Sequence, residues 1–185
     1  TAAPPAPPSS AMGDIAERNL EPLTTLTHTL LTHSLLSPSE TRALLLRART
    51  FEHALLSRGA TRAHFLRYAS YLSTLHSLVL RARIPAQKSP PVPKPVRNAI
   101  HRSLGSISTK ILTRALSRFR ADPDLAIAVA SHFLSSNLPR RAHATLASAL
   151  ALLPASPSLW TAAISTQFDA GSPNNARTLA IRATR

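Results

Sequence analysis

Side-chain catalysis needs acids, bases or nucleophiles at set spacings, and this 185-residue chain offers few of them. It has no cysteine, which excludes disulfide scaffolds, cysteine-ligated zinc and thiol nucleophiles. Eight histidines (28, 33, 53, 64, 76, 101, 132 and 143) never recur at metal-ligand spacing beside a carboxylate. Asp122 and Asp124 are close, but they precede an apolar run, where acids cap a helix and meet its dipole. Serines are plentiful, yet none sits in a glycine-flanked strand–turn–helix, and no glycine-rich phosphate loop occurs. The expectation is a protein without catalysis, cofactor, metal or small-molecule substrate.

The chemistry that remains is electrostatic. The formal net charge is +14, and from His53 to Ala121 there are thirteen Lys/Arg and no Asp or Glu. Such a field favours polyanions, RNA above all, or acidic protein neighbours. Biased codon usage is the competing explanation for 19 Arg against three Lys, though it accounts less well for the missing acids. The candidate contacts bracket a proline-rich stretch: Arg58, Arg62, Arg67, Arg81, Arg83, Lys88, Lys94, Arg97 and Arg102. Phosphate contact needs only exposed cations, whereas base reading needs stacking or base edges. Phe65, Tyr68 and Tyr71 are mostly committed to a helix stripe, so RNA contact is expected to be to backbone. No apolar run approaches the roughly eighteen residues of a membrane span. The start, "TAAPPAPPSSAMGD", lacks the basic and apolar regions of a secretory signal and reads as a disordered extension over 1–14.

Four glycines and proline clusters at apparent helix edges point to helices joined by loops. Leu23, Leu26, Leu30 and Leu31 fall at helical spacing, a short amphipathic helix. Ser37, Pro38 and Glu40 then make a capping box with proline at the first helical position. Leu44, Ala48, Phe51 and Leu55 form one face of that second helix. Arg58 in its last turn and Gly59 in a left-handed conformation are expected to end it. Phe65, Tyr68, Leu72, Leu75 and Val79 stripe a third helix that Pro85 should stop. The short connection makes the second and third helices an antiparallel hairpin. Glu52, the one acid between Glu40 and Asp122, has two expected roles: a weak pair with Arg49, or a buried pin reaching Arg67 or Tyr68.

Residues 85–95 read as a basic polyproline-like linker, dividing a helical domain over 15–84 from residues 96–185. Beyond it the chain repeats at an offset of 34: Ala115 on Ala149, Leu116 on Leu150, Pro123 on Pro157, Leu125 on Leu159. Ala142 also falls on Ala176. A 34-residue period containing helix–turn–helix indicates a tetratricopeptide-type α-solenoid. The expected packing residues are Ala115, Leu116, Leu125, Ala149, Leu150, Leu159 and Trp160.

"RTFEHALLSRG" followed by "FLRYASYLSTLHSL" closely resembles the N-terminal motif of the U3 small nucleolar RNA-associated protein 6 family. "HSLLSPSE" is similar to that family's preceding loop and helix start. By position the motif covers Arg49, Phe51, Glu52, His53, Ser57, Arg58, Gly59, Arg67 and Tyr68. The later units resemble half-a-tetratricopeptide (HAT) repeats, in which a tryptophan precedes an aromatic and a glutamate. One unit keeps Trp160 but has Ala163 and Gln167; the other has Ala126 and Val129. Leu72 stands where the family has glutamate. The resemblance implies a non-catalytic scaffold subunit of the UTP-B subcomplex of the small-subunit processome, in the nucleolus. Implied partners are other UTP-B subunits (β-propeller proteins), and U3 small nucleolar RNA and pre-ribosomal RNA directly or through the particle.

The sequence therefore predicts an all-α protein: an N-terminal helical hairpin followed by an α-solenoid of HAT repeats, acting in ribosome biogenesis. Two other classes fit the residues: an organellar helical-repeat RNA-binding protein, and a tetratricopeptide-like peptide-binding adaptor.

Overall fold

The computed structural model describes residues 9–86 and 91–184, and every regular element among them is helical. The chain divides into two compact units at Leu112/Thr113. The division lies inside a helix, downstream of the proline-rich stretch where composition placed the boundary.

In the first unit, α1 runs from Ser9 to Thr32. It begins inside the segment expected to be a disordered extension, because Ala11, Ile15, Ala16 and Glu17 are sound helix formers once past the prolines. Pro22 lies within it, and the helix forgoes one backbone hydrogen bond there. Its apolar face is Ala16, Leu20, Leu23, Leu26 and Leu30, all buried, while Leu31 is 36% exposed. Helix α2 (Pro38–Leu56) starts with the capping box read from sequence: Ser37 Oγ accepts from the Glu40 amide, and the Glu40 carboxylate accepts from the Ser37 amide at 2.7 Å. Helix α3 (Arg62–Ser77) buries Phe65, Tyr68, Leu72 and Leu75, and Val79 just beyond it. At its start the Thr61 amide donates to His64 Nδ1 at 3.0 Å, so an imidazole fills the place of the usual Glu or Gln.

Two expected helix stops are corrected. Gly59 is not among the positive-φ residues, and Arg58 lies outside α2. Ser57 ends the helix instead. Its backbone swings to an extended conformation (φ −62°, ψ 151°), and its hydroxyl donates to the Ala54 carbonyl at 2.8 Å. Pro85 does not terminate the third helix either. The chain continues from α3 through a π-helical segment, Leu78–Arg83, into a final turn, α4 (Ile84–Ala86). In the wider turn the Ile84 amide donates to the Val79 carbonyl, five residues back.

Helix α5 (Lys94–Arg118) carries the chain into the second unit. There α6 (Pro123–Ser135), α7 (Pro139–Leu152), α8 (Pro157–Asp169) and α9 (Pro173–Ala183) each begin with proline at the first turn. Helix α6 packs on α7, α7 on α8, α8 on α9, and α6 also reaches α8, the neighbour pattern of stacked helix pairs. The 34-residue offset holds in packing: Leu125 and Leu159 are 1% and 0% exposed, and Ala142 and Ala176 are both buried. It also holds in the turns. Asn137 (φ 58°) and Gly171 (φ 72°) occupy equivalent positions after α6 and α8. The Leu138 amide donates to the Phe133 carbonyl at 2.8 Å and that of Ser172 to the Gln167 carbonyl at 3.0 Å, the same six-to-one closure twice.

Candidate macromolecular interface

The motif residues fold into a junction of three helices. Thr41, Leu44, Ala48, Glu52 and Leu55 form the buried stripe of α2, so Glu52 belongs to the core face. It is 2% exposed and accepts a hydrogen bond from Asn19 Nδ2 of α1 at 2.9 Å. Arg49 turns the other way and pairs with Glu17 of α1 at 2.8 Å, both side chains about half exposed. The weak role expected for Glu52, pairing with Arg49, is thus replaced by separate ties to α1. Neither Asn19 nor Glu17 is signalled locally, because partners some thirty residues apart in sequence share no periodicity.

Phe51 fills the seam between α2 and α3. Its ring stacks on Tyr68 with centroids 4.9 Å apart and planes 13° apart, and meets Tyr71 at 5.5 Å. The Arg47 guanidinium lies 5.3 Å from the centre of the Phe51 ring. Burial pushes the Tyr71 phenol above its usual range, against the opposing pull of Arg47. Of the other motif residues, Ser57 is half-buried, whereas His53, Arg58, Gly59 and Arg67 are exposed.

The basic candidates lie on the surface of the same unit. Arg58, Arg62, Arg67, Arg81, Arg83, Lys94, Arg97 and Arg102 are all exposed; Lys88 lies outside the described residues. Arg83 is paired with Glu40. The Ser37 amide and hydroxyl, more than Arg83, hold the Glu40 carboxyl below its ordinary value. Arg102 Nε donates to the Asn98 carbonyl at 3.3 Å, and Arg102 borders a groove with Pro22, Thr25, Ala99, Ser103 and Ser106. Of the aromatic side chains on α3, Phe65 and Tyr68 are buried and present no face for base stacking, and Tyr71 is half-buried against Phe51.

In the second unit, Ala115, Leu125, Ala149, Leu150 and Leu159 are buried, and Leu116 is half-buried. Trp160 is half-buried too, its indole N–H donating to the Pro154 carbonyl at 2.8 Å. Leu134 and Phe168, 34 residues apart, are 40% and 67% exposed. Among the described residues no three His, Asp or Glu side chains converge on a point that could hold a metal, and no helix is long and apolar enough to cross a membrane.

Residues 20–103 match the family model described as U3 small nucleolar RNA-associated protein 6. No curated protein matches the chain.

Proposed function

Since residues 20–103 match the model of the U3 small nucleolar RNA-associated protein 6 family, we propose that this chain serves ribosome biogenesis as a non-catalytic scaffold. In this reading it is a UTP-B subunit of the small-subunit processome, acts in the nucleolus, and supports 18S pre-ribosomal RNA processing. Its partners there are β-propeller subunits, with U3 and pre-ribosomal RNA reached directly or through the particle.

The observation that carries the reading is the junction itself. Of the residues that resemble the family motif, Arg49, Phe51, Glu52 and Tyr68 tie α1, α2 and α3 together, through Asn19–Glu52, Glu17–Arg49 and Phe51–Tyr68. Motif residues that hold helices together suit a protein whose product is a surface. Two kinds of surface follow. The first unit supplies exposed cations from α3, the π-helical segment and α5. The second supplies a repeating edge with Leu134 and Phe168 exposed at equivalent positions. Cations among aromatics that are buried or half-buried suit contact with the phosphate backbone and little preference for sequence.

Affinity purification of the tagged full-length chain tests the assignment. Recovery of propeller subunits with U3 RNA is expected; organellar transcripts or a single peptide-bearing client would overturn it. At the RNA surface, R97E/R102E should weaken binding of unrelated single-stranded RNAs alike. It should also flatten the dependence of log affinity on log salt by about 0.7 for each phosphate no longer neutralised. A weakening confined to one RNA sequence would contradict backbone contact.

A further inference from the structure

Helices α3 and α5 are joined by two imidazoles. His76, in the last turn of α3, and His101, in α5, have ring centroids 4.9 Å apart and planes inclined by 35°. His76 Nε2 lies 2.7 Å from His101 Nδ1. At that distance one nitrogen must donate and the other accept, which a neutral imidazole pair can do because each ring has one N–H and one lone pair. A single added proton can leave one donor facing one acceptor. Two added protons leave N–H facing N–H, and the bond becomes a repulsion between cations.

The surroundings sharpen this. Arg81 of the π-helical segment acts on His76, while Arg97 precedes His101 by one helical turn and Arg102 follows it directly. Helix α3, the π-helical segment, α4 and α5 contain no carboxylate at all. From α2, Glu40 is engaged by Arg83. On α1, Pro22 and Thr25 line a groove with Ala99, Arg102 and Ser103 of α5, and the titratable residues nearest them in sequence are Glu21 and His28. Burial first, then the neighbouring His101 and Arg81, hold the His76 ring below its ordinary value of 6.5. A histidine depressed in the folded state stabilises the fold above its unfolded value, and that contribution is lost as pH falls through the folded value.

We propose that His76 and His101 form a proton-operated clasp, holding α3 to α5 across the proline-rich connection when neutral and releasing them when both rings are charged. The clasp joins the elements that carry Arg81 and Arg83 to the one that carries Lys94, Arg97 and Arg102, so its opening would draw these groups of cations away from each other. This does not depend on which macromolecule those cations meet.

The absence of cysteine makes the test direct. Spin labels at T74C and N98C, both exposed positions, report the α3–α5 distance in the full chain by pulsed electron resonance. Imidazole NMR signals report each ring's charge from about pH 7.5 downward through the second protonation, which burial and the neighbouring charge place below the ordinary histidine range. The expected result is a distance that lengthens and broadens in step with the second protonation. H76F/H101F should keep the neutral distance at both pH values; if it does not fold, H101Q, which cannot carry the second charge, should do so. An unchanged distance once both rings are charged would overturn the clasp. So would a pair that does not take up its second proton while the chain stays folded, or control variants that open with acid as the wild type does.

Discussion

A carboxylate that is 2% exposed among leucines persists only if its oxygens are satisfied, and Asn19 supplies Glu52 at 2.9 Å from another helix. Truncation should therefore do more than remove a surface charge. E52A leaves the Asn19 amide short of an acceptor in the seam, a destabilisation of about 1–3 kcal/mol. For a chain of this size the melting midpoint should fall by roughly 2–4 °C per kcal/mol. N19A/E52A should cost less than the two single changes added together, since they share one bond. A fall of under about a degree for E52A would remove Glu52 from the junction. The depth of Glu52 is legible in part: four residues after Ala48 and three before Leu55, it continues the stripe of Thr41, Leu44 and Ala48. Apolar spacing alone draws that face through Phe51 instead. Phe51 is half-buried beside it, its ring turned to Tyr68. The exposed Arg49–Glu17 pair, by contrast, is worth less than about 1 kcal/mol.

At the scale of elements, the strongest regularity is chemical as well as geometric. Proline opens each helix from α6 to α9, and a left-handed residue closes α6 and α8 at equivalent places. No atom lies within 4 Å of where a Cβ would sit on Gly171, so a side chain there meets backbone strain alone. G171A should cost about 1–2 kcal/mol, the penalty of the left-handed conformation for an L-residue. N137G, in the equivalent turn, should be neutral or stabilising in the same thermal melt. If G171A is silent while N137G destabilises, the repeated turn is not the device that sets the period. The 34-residue offset and the capping box of α2 are readable in sequence because their signals are local. The end of α2 is not, because two stop signals stand side by side, and the hydroxyl of Ser57 closes the helix two residues before Gly59 is reached. The π-helical turn has no local signal: "LVLRAR" is ordinary α-helical sequence, and the wider turn is what lets Val79 and Ile84 both stay buried.

For the molecule as a whole, exposed cations and single exposed apolar side chains occur in both units. The first unit holds most of the acid-free stretch and also exposes Ile15, Leu31, Leu46 and Leu78; the second exposes Leu134, Leu152, Phe168 and Ile181. A scaffold needs its protein contacts to stand without RNA, because apolar packing is insensitive to salt while phosphate contacts weaken steeply with it. That difference in salt response gives the most direct measurement: capture of the tagged full-length chain from extract, with and without nuclease, across rising salt. The account predicts that protein partners remain after nuclease treatment and into high salt, while RNA disappears under both. Release of the protein partners by nuclease alone would contradict it, and would make the chain an RNA-tethered component in place of a structural one.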